Sequence, residues 1–442
     1  MKGAGLMDIA RSAAQIARTV GAKDARAKVS RSREVRVEWR DGKLDRIRES
    51  TKRRLSVALY VDGRYSAGST SDLRTEAVDE YVRAQVKSTR LLAEDEHRRL
   101  PAPARYEGMT KADLGMLDSS VAGIQPEDRL VAARDIEDAA RQGEGSDRIV
   151  SVTSSVSDYS YTSVCVCTNG LEVTEDGTYL DKSAYVSVKD TDDRKPSGYS
   201  YGSTRFAADM PDAGTIGGEA RMRALDQIGS KQADTGEYEV LIENRVVPTF
   251  ARHLMRPLSG SAVQQQRSFL AEHLGKKVFS ELLDIQDDPH HVRGLSSTPW
   301  DSEGMATKPR PVIEKGVLRT FYLDTYYASK LGMEPTTGSV TNLVWTPGKR
   351  DLEAMLAGVK KGILVTSFLG GNSNSTTGDF SLGITGFLLE KGKRVQPISE
   401  MNVAGNHLTF WKSLAEVGSD PWKHSSNMTP TLRFEAVQCS GS

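Results

Sequence analysis

Asp41-Gly42 and Asp62-Gly63 each sit between runs that alternate apolar with polar residues, and this limits the local fold to antiparallel hairpins. Val35, Val37 and Trp39 alternate with Arg36, Glu38 and Arg40, which gives a strand with one buried face. Leu55, Val57, Leu59 and Val61 repeat that period before the second pair. Aspartate and glycine tolerate the positive φ of a two-residue turn. Residues 33 to 69 therefore read as an antiparallel meander.

Around the meander the period is helical. Leu6, Ile9, Ala13, Ile16, Ala17 and Val20 place an amphipathic helix between Met1 and Val20, with Gly21 as its stop. A second helix is expected from about Asp72 to Leu92, and a long loop from Pro101 to Gly123. Pro126, Glu127 and Asp128 open another helix, since proline suits the first turn and carboxylates favour the positive end of the helix dipole. Ile149 to Phe206, rich in Ser, Thr, Val and Tyr, reads as several antiparallel strands, and Glu219 to Ile228 as helix. The pattern restarts at Asp234-Thr235-Gly236 with a strand, Tyr238 to Ile242, and a helix holding Pro248 in its first turn. A final strand runs from Thr431 to Val437. The expectation is an α+β chain of two domains, 1–236 and 237–442, with mainly antiparallel sheets and packed helices.

Composition narrows the function. Fifty-nine basic residues balance 59 acidic ones, which argues against a dedicated nucleic-acid binder. The short cluster Lys52-Arg53-Arg54 reads as a solvated strand end. Three cysteines are no disulfide framework and fit a reducing compartment. The N-terminal segment carries charges throughout and offers no signal-peptide core. No apolar run approaches the ~18 residues of a membrane span. A soluble cytoplasmic protein is expected.

None of the seven histidines is followed by glutamate, so no HExxH or HExxxH zinc helix exists in the chain. Asp287, Asp288, His290 and His291 pack four ligand-type side chains around Pro289, which suits either a cation or an ordinary turn. Cys165 and Cys167 share a strand face and read as buried small hydrophobes, and Cys439 is an isolated thiol. Ser259 and Ser261 lack the surroundings of a nucleophile elbow. The segment from Gly370 to Ser381 is the most unusual: Gly370, Gly371, Asn372, Thr377, Gly378, Asp379, Phe380 and Ser381 form a glycine-rich polar run without P-loop or Rossmann context. It reads as a long loop between strands, either a ligand wall or plain surface. Gly405-Asn406 closes a similar backbone-exposing turn at a strand end.

Taken together, several segments resemble the TldD/PmbA family, also known as modulators of DNA gyrase. They are Gly63 to Leu73, Thr235 to Val240, Ser268-Phe269-Leu270, Asp301 to Met305, Ile313 to Leu318, Thr377 to Ser381 and Val403 to Asn406. Their order spans essentially the whole chain. In the TldD-like branch a metallopeptidase HExxxH motif lies on a helix early in the second domain. The corresponding stretch here, His253 to Ser261, supplies no glutamate and no second histidine, and Pro257 would interrupt the helix. His253 then reads as a helix-face or core histidine. The resemblance thus points to the PmbA/TldE-like branch. It implies a subunit with no catalytic residues or metal of its own, paired with a TldD-like metallopeptidase subunit that carries zinc or another divalent metal. The complex would enclose a cavity in which flexible, leader or unfolded peptides are cleaved. The Gly370 to Ser381 run and Gly405-Asn406 are the expected cavity wall. Two alternatives stay open: a self-sufficient homodimeric hydrolase using the Asp287 to His291 cluster or a hidden triad, and a binding or scaffold protein with no peptidase role.

Overall fold

The computed structural model describes residues 3–441. Six strands build the first sheet: β1 (Asp24–Arg40), β2 (Lys43–Val61), β3 (Arg64–Thr70), β4 (Ile149–Cys167), β5 (Glu172–Val188) and β6 (Ser197–Thr204). Their order is β3-β2-β1-β4-β5-β6, with every neighbouring pair antiparallel. Both Asp-Gly pairs form the expected turns, with φ of 49° and 78° at Asp41 and Gly42, and 50° and 75° at Asp62 and Gly63. The meander is there, but β1 starts at Asp24, well before residue 33. Its early buried residues are Ala25, Ala27 and Val29, and alanine carries little hydrophobic signal. The Lys52-Arg53-Arg54 cluster lies inside β2, exposed along the strand, and not at a strand end.

Four helices cover one face of this sheet. The first helix, α1 (Gly3–Thr19), sits where the sequence placed it, and Met1 and Lys2 of the expected span lie outside the described residues. With α2 (Thr75–Thr89) it buries Leu6, Ala10, Ala13, Val78 and Val82 against Ala27, Val29 and Leu55. At the other end α3 (Pro126–Ala140) and α4 (Ala213–Leu225) cover Val37, Val152 and Val156. The Gln125 side chain and Asp128 form a capping box at the start of α3. The last of the four begins earlier than Glu219: Asp212 caps it through the Thr215 N–H at 2.7 Å, and Gly214, Gly217 and Gly218 mask its periodicity. Gly217 is also its contact point with α3. A Cβ there would stand 2.4 Å from the Ile136 carbonyl oxygen and 2.7 Å from the Ala140 nitrogen. Gly217→Ala should destabilise the protein by about 1–3 kcal/mol through that backbone clash, more than the ~1 kcal/mol alanine gains in helix propensity. An unchanged or raised urea midpoint would contradict this packing.

The second half begins with β7 (Gly236–Ile242) and continues through the short strands β8 (Ile285–Asp287), β9 (Arg310–Glu314), β10 (Val317–Leu318) and β11 (Leu343–Trp345). Three long strands follow, β12 (Lys361–Ser373), β13 (Asp379–Glu390) and β14 (Lys393–Asn406), then β15 (Leu414–Val417), β16 (Asn427–Met428) and β17 (Leu432–Ser440). One sheet runs β14-β13-β12-β7-β17-β15, the other β10-β9-β8-β11-β16. Among the named strands of the described residues, only β7–β12 and β11–β16 are parallel pairs. The helices are α5 (Val247–Met255), α6 (Gly260–Gln264), α7 (Thr325–Leu331), α8 (Leu352–Leu356) and α9 (His407–Phe410). A large core joins α5 to both sheets, with Phe250 and Leu254 in one cluster with Phe380 and Phe434 of the first and Ile285 and Trp345 of the second, around Trp411. The class is α+β with mainly antiparallel sheets, as the sequence indicates. Among the described residues no helix is long and apolar enough to cross a membrane.

Candidate functional site

The Gly370 to Ser381 run is not a long loop. Gly370, Gly371, Asn372 and Ser373 end β12, while Asp379, Phe380 and Ser381 begin β13. Only residues 374–378 form the turn. Backbone pairing holds the two strands together: Gly371 faces Leu382 and Asn372 faces Ser381. Gly370 and Gly371 have φ of 123° and 125° beside a bulge, and a Cβ on Gly371 would fall 2.2 Å from the Ser381 carbonyl oxygen.

The turn is laced by side chains. Asn374 Oδ1 accepts from the Thr376 N–H at 2.9 Å, and the Thr377 hydroxyl donates to Asp379 Oδ2 at 2.7 Å. Asn406 Nδ2 donates to the Thr377 carbonyl and to Asp379 Oδ1, both at 2.9 Å, while its Oδ1 accepts from the Leu408 N–H and caps α9. The hydrogen bonds from Thr377 and Asn406 hold the Asp379 carboxyl below its usual range. The sequence-derived residues thus divide. Thr377, Gly378, Asp379 and Asn406 come together, with Gly405 opposite Phe380 across the strand pair. Phe380 turns into the core, and Gly370, Gly371, Asn372 and Ser381 line an exposed ribbon.

Beneath this turn lies a residue that sequence reasoning passed over. His407 is fully buried against Phe250, Phe269 and Phe380, and its ring lies 6.2 Å from that of His253. Trp411 Nε1–H points at His407 Nδ1 at 3.3 Å. Indole nitrogen only donates, so Nδ1 is the acceptor and the proton sits on Nε2, which donates to Ser373 Oγ at 3.0 Å. Burial, with a smaller contribution from His253, drives the His407 imidazole down to about 3. A usable signal was the spacing of His407 to Trp411, one helical turn apart. His253 lies on α5, which stops at Met255 before buried Pro257.

These groups do not fit a metal. Both His407 nitrogens are engaged, and among the described residues the charged groups acting on His253 are Arg252 and Arg256. The Asp287 to His291 cluster is spread by its own bonds. Asp287 Oδ1 accepts from the Thr341 N–H at 3.0 Å, Asp288 Oδ1 accepts from the His290 N–H at 2.9 Å, and His290 Nε2 meets Thr307 Oγ1 at 3.2 Å. Burial pushes the Asp287 carboxyl up. Among the described residues no group of three or more His, Cys, Asp or Glu is placed to hold a metal ion.

At the other end of the β12–β13 hairpin, lined by none of Gly370 to Ser381, Gly405 or Asn406, a cleft of about 990 Å³ opens between β5, β6 and α4 on one side and β12 and β13 on the other. Tyr185, Tyr199 and Tyr201 share its lining with Thr366, Ser367 and Phe368. Its walls are braced by ion pairs of Arg223 with Glu243, Arg245 with Glu219 at 2.8 Å, and Arg394 with Glu353 at 2.5 Å. Burial alone would raise the Glu219 carboxyl, but Arg245 and the Ser200 hydroxyl outweigh it and hold it low. Phe368 links cleft to core by stacking on Phe250 at 5.9 Å. β7 pairs with β12 only along 362–365, so among the described residues the rest of that β12 edge has no strand neighbour.

Comparison with known proteins assigns this architecture. Family models for the PmbA/TldA metallopeptidase match in order along the chain: domain 1 at residues 25–88, the central domain at 120–228 and the C-terminal domain at 235–441. Metalloprotease PmbA of Escherichia coli O157:H7 is 28% identical over 421 residues, covering 94% of this chain and 92% of that protein. A Bacteroides thetaiotaomicron protein described as a modulator of DNA gyrase superposes with a TM-score of 0.95 at 38% identity, over 98% of both chains. TldE from Thermococcus kodakarensis shares the fold, with a TM-score of 0.87 at 20% identity over 98% of this chain and all of that one (100%). With three family domains in sequence and a match over nearly its full length, this chain belongs to the TldD/PmbA family.

Proposed function

We propose that this chain is the PmbA/TldE-like, metal-free subunit of a cytoplasmic TldD/TldE-type metallopeptidase complex, and that it walls the chamber in which a TldD-like partner cleaves flexible or leader peptides. One observation carries the reading. The helix that would hold a zinc motif keeps His253, ends before Pro257, and faces a second imidazole whose two nitrogens are already bonded to Trp411 and Ser373. Chemistry then has to come from the partner, and the contribution of this subunit is shape. The β12 edge beside the cleft, without a strand neighbour beyond Val365 among the described residues, is where an extended peptide would add as a strand, a mode of binding that tolerates varied sequences. The turn tied by Asp379 and Asn406, at the other end of the same β12–β13 hairpin, forms a further part of the chamber wall.

Co-purification with a TldD-like subunit, followed by metal analysis of each dissociated chain and a peptide cleavage assay, tests this. The expected result is one divalent metal, bound to the partner, and no cleavage by this chain alone. Asn406→Ala with Asp379→Ala should lower partner-dependent kcat/KM by roughly tenfold, a loss of positioning worth about 1.4 kcal/mol. Stoichiometric metal on this chain, activity as a homodimer, or cleavage unchanged by the double variant would overturn the reading.

A further inference from the structure

The zero net charge of the chain conceals a strong local imbalance. Between Arg26 and Arg54 stand twelve Lys and Arg residues against five Asp and Glu, all on the β1–β2 hairpin. Alternate residues of a strand face opposite ways. With Val37, Val152 and Val156 under the helices, the residues between them look out from the opposite face, which is covered only toward Tyr60 and Cys165, where Leu100 and Trp300 pack on it. On β2 these are Arg46, Arg48, Lys52 and Arg54, in a stretch exposed almost throughout. On this face Arg36 finds a carboxylate in Glu38, but Arg46, Arg48, Lys52 and Arg54 make no ion pair among the described residues. Arg48 stands directly opposite Arg36, a like-charge pair that weakens a sheet until a counter-charge arrives.

Across the same face the next strands are flat. Arg36 is followed by Ser157 on β4, and Glu38 by Ser155, which pairs with Ser183 on β5. Beyond this serine floor rises an aromatic ridge. Tyr185 and Tyr199 pair across β5 and β6, each about half exposed at 48% and 50%, and Tyr199 stacks on Tyr201 at 5.6 Å. These three tyrosines also line the 990 Å³ cleft. A basic ridge, a low serine floor and a tyrosine ridge thus form one surface that continues into the cleft. Tyrosine, serine and arginine together are the composition of adaptable polypeptide-binding surfaces.

We infer that this open sheet face is a docking track for an extended polypeptide segment bearing acidic side chains, which it delivers to the cleft. The proposal rests on the peptidase-subunit reading only for what happens to that segment afterwards. Charge chooses the occupant. A nucleic acid would bring a phosphate at every nucleotide against Glu34, Glu38 and Asp181, which lie on the same face. A polypeptide can space its carboxylates to meet Arg46, Arg48 and Lys52 alone.

Fluorescence anisotropy on the isolated full chain, without partner and without cleavage, tests the track. The probes are a labelled flexible Glu/Ser/Gly peptide, its Lys/Ser/Gly counterpart, and a single-stranded oligonucleotide of matched length. The acidic peptide should bind best, weaken steeply with added salt, and bind about tenfold more weakly to the exposed-site variant Arg46→Glu/Arg48→Glu. Lys315→Glu, in the β9–β10 turn, should bind it as the parent does. Equal binding of acidic and basic peptides, or indifference to the double variant, would overturn the proposal. Tighter oligonucleotide binding lost in the same variant would overturn it in favour of a nucleic-acid surface. If the acidic peptide binds as expected but no partner-dependent cleavage exists, the track stands and the peptidase-subunit reading falls.

Discussion

Lowering the pH from about 7.5 to about 4.5 should cost the second half of this protein roughly 2–3 kcal/mol through His407 alone. Burial holds the folded imidazole down to about 3, against 6.5 for an ordinary histidine. The unfolded chain therefore binds a proton between those values that the folded chain refuses, and stability falls as pH falls through that window. Above about 6.5 the contribution is complete. Geometry gives the same sign: a proton on Nδ1 would confront the Trp411 indole N–H, two donors with no acceptor between them. Nothing near offers compensation, since the facing titratable group is His253, itself shifted down by burial with help from Arg252 and Arg256. The measurement is urea unfolding followed by tryptophan fluorescence, comparing the parent with His407→Gln. Glutamine keeps a donor for Ser373 and cannot be protonated. The variant should be less stable at neutral pH, and the two stabilities should converge by about 2–3 kcal/mol at the acid end. Parallel curves would show that His407 does not titrate in this way.

The convergence matters for function because His407 links three pieces of the candidate site. Its backbone N–H donates to the Gly378 carbonyl, its ring to Ser373 at the end of β12, and its neighbour Asn406 ties Asp379. Acid that opens this pocket should also loosen the turn at 374–378.

What the sequence revealed follows from how each element is stabilised. The two Asp-Gly hairpins were plain because turn chemistry and alternation agreed. The Gly370 to Ser381 hairpin reads as loop in sequence because most of its strand residues are small and polar, and it is held by backbone pairing that composition does not reveal. The sequence pattern for α4 begins only at Glu219 because Gly217, required by close contact with α3, looks like a helix breaker. Family membership was legible from motif order, and so was the missing zinc motif. His253 and His407 were visible only as separate letters, since their meeting depends on α5 and α9 converging from distant parts of the chain. The basic face was hidden for a related reason: net charge sums over the molecule, whereas register decides which arginines share a surface.

The largest single-substitution loss is expected on the back of that face. Arg129 in α3 and Asp158 in β4 form a two-bond pair, Nε to Oδ2 at 2.5 Å and Nη2 to Oδ1 at 3.0 Å, with side chains only 2% and 6% exposed. Nη1 of the same guanidinium donates to the Ile124 carbonyl just before the helix. Asp158→Ala leaves a buried guanidinium without its counter-charge and should cost about 3–5 kcal/mol in urea unfolding. Arg129→Met/Asp158→Leu removes both charges and should recover most of that loss, because the desolvation penalty goes with them. A double variant as unstable as the single one would mean that shape, not charge, dominates the site. Ser157 and Tyr159 flank Asp158 on the same strand and point to the opposite side. The pair therefore fixes α3 behind the serine floor, and Asp158→Ala should weaken acidic-peptide binding as well as stability, while the apolar double variant restores both together.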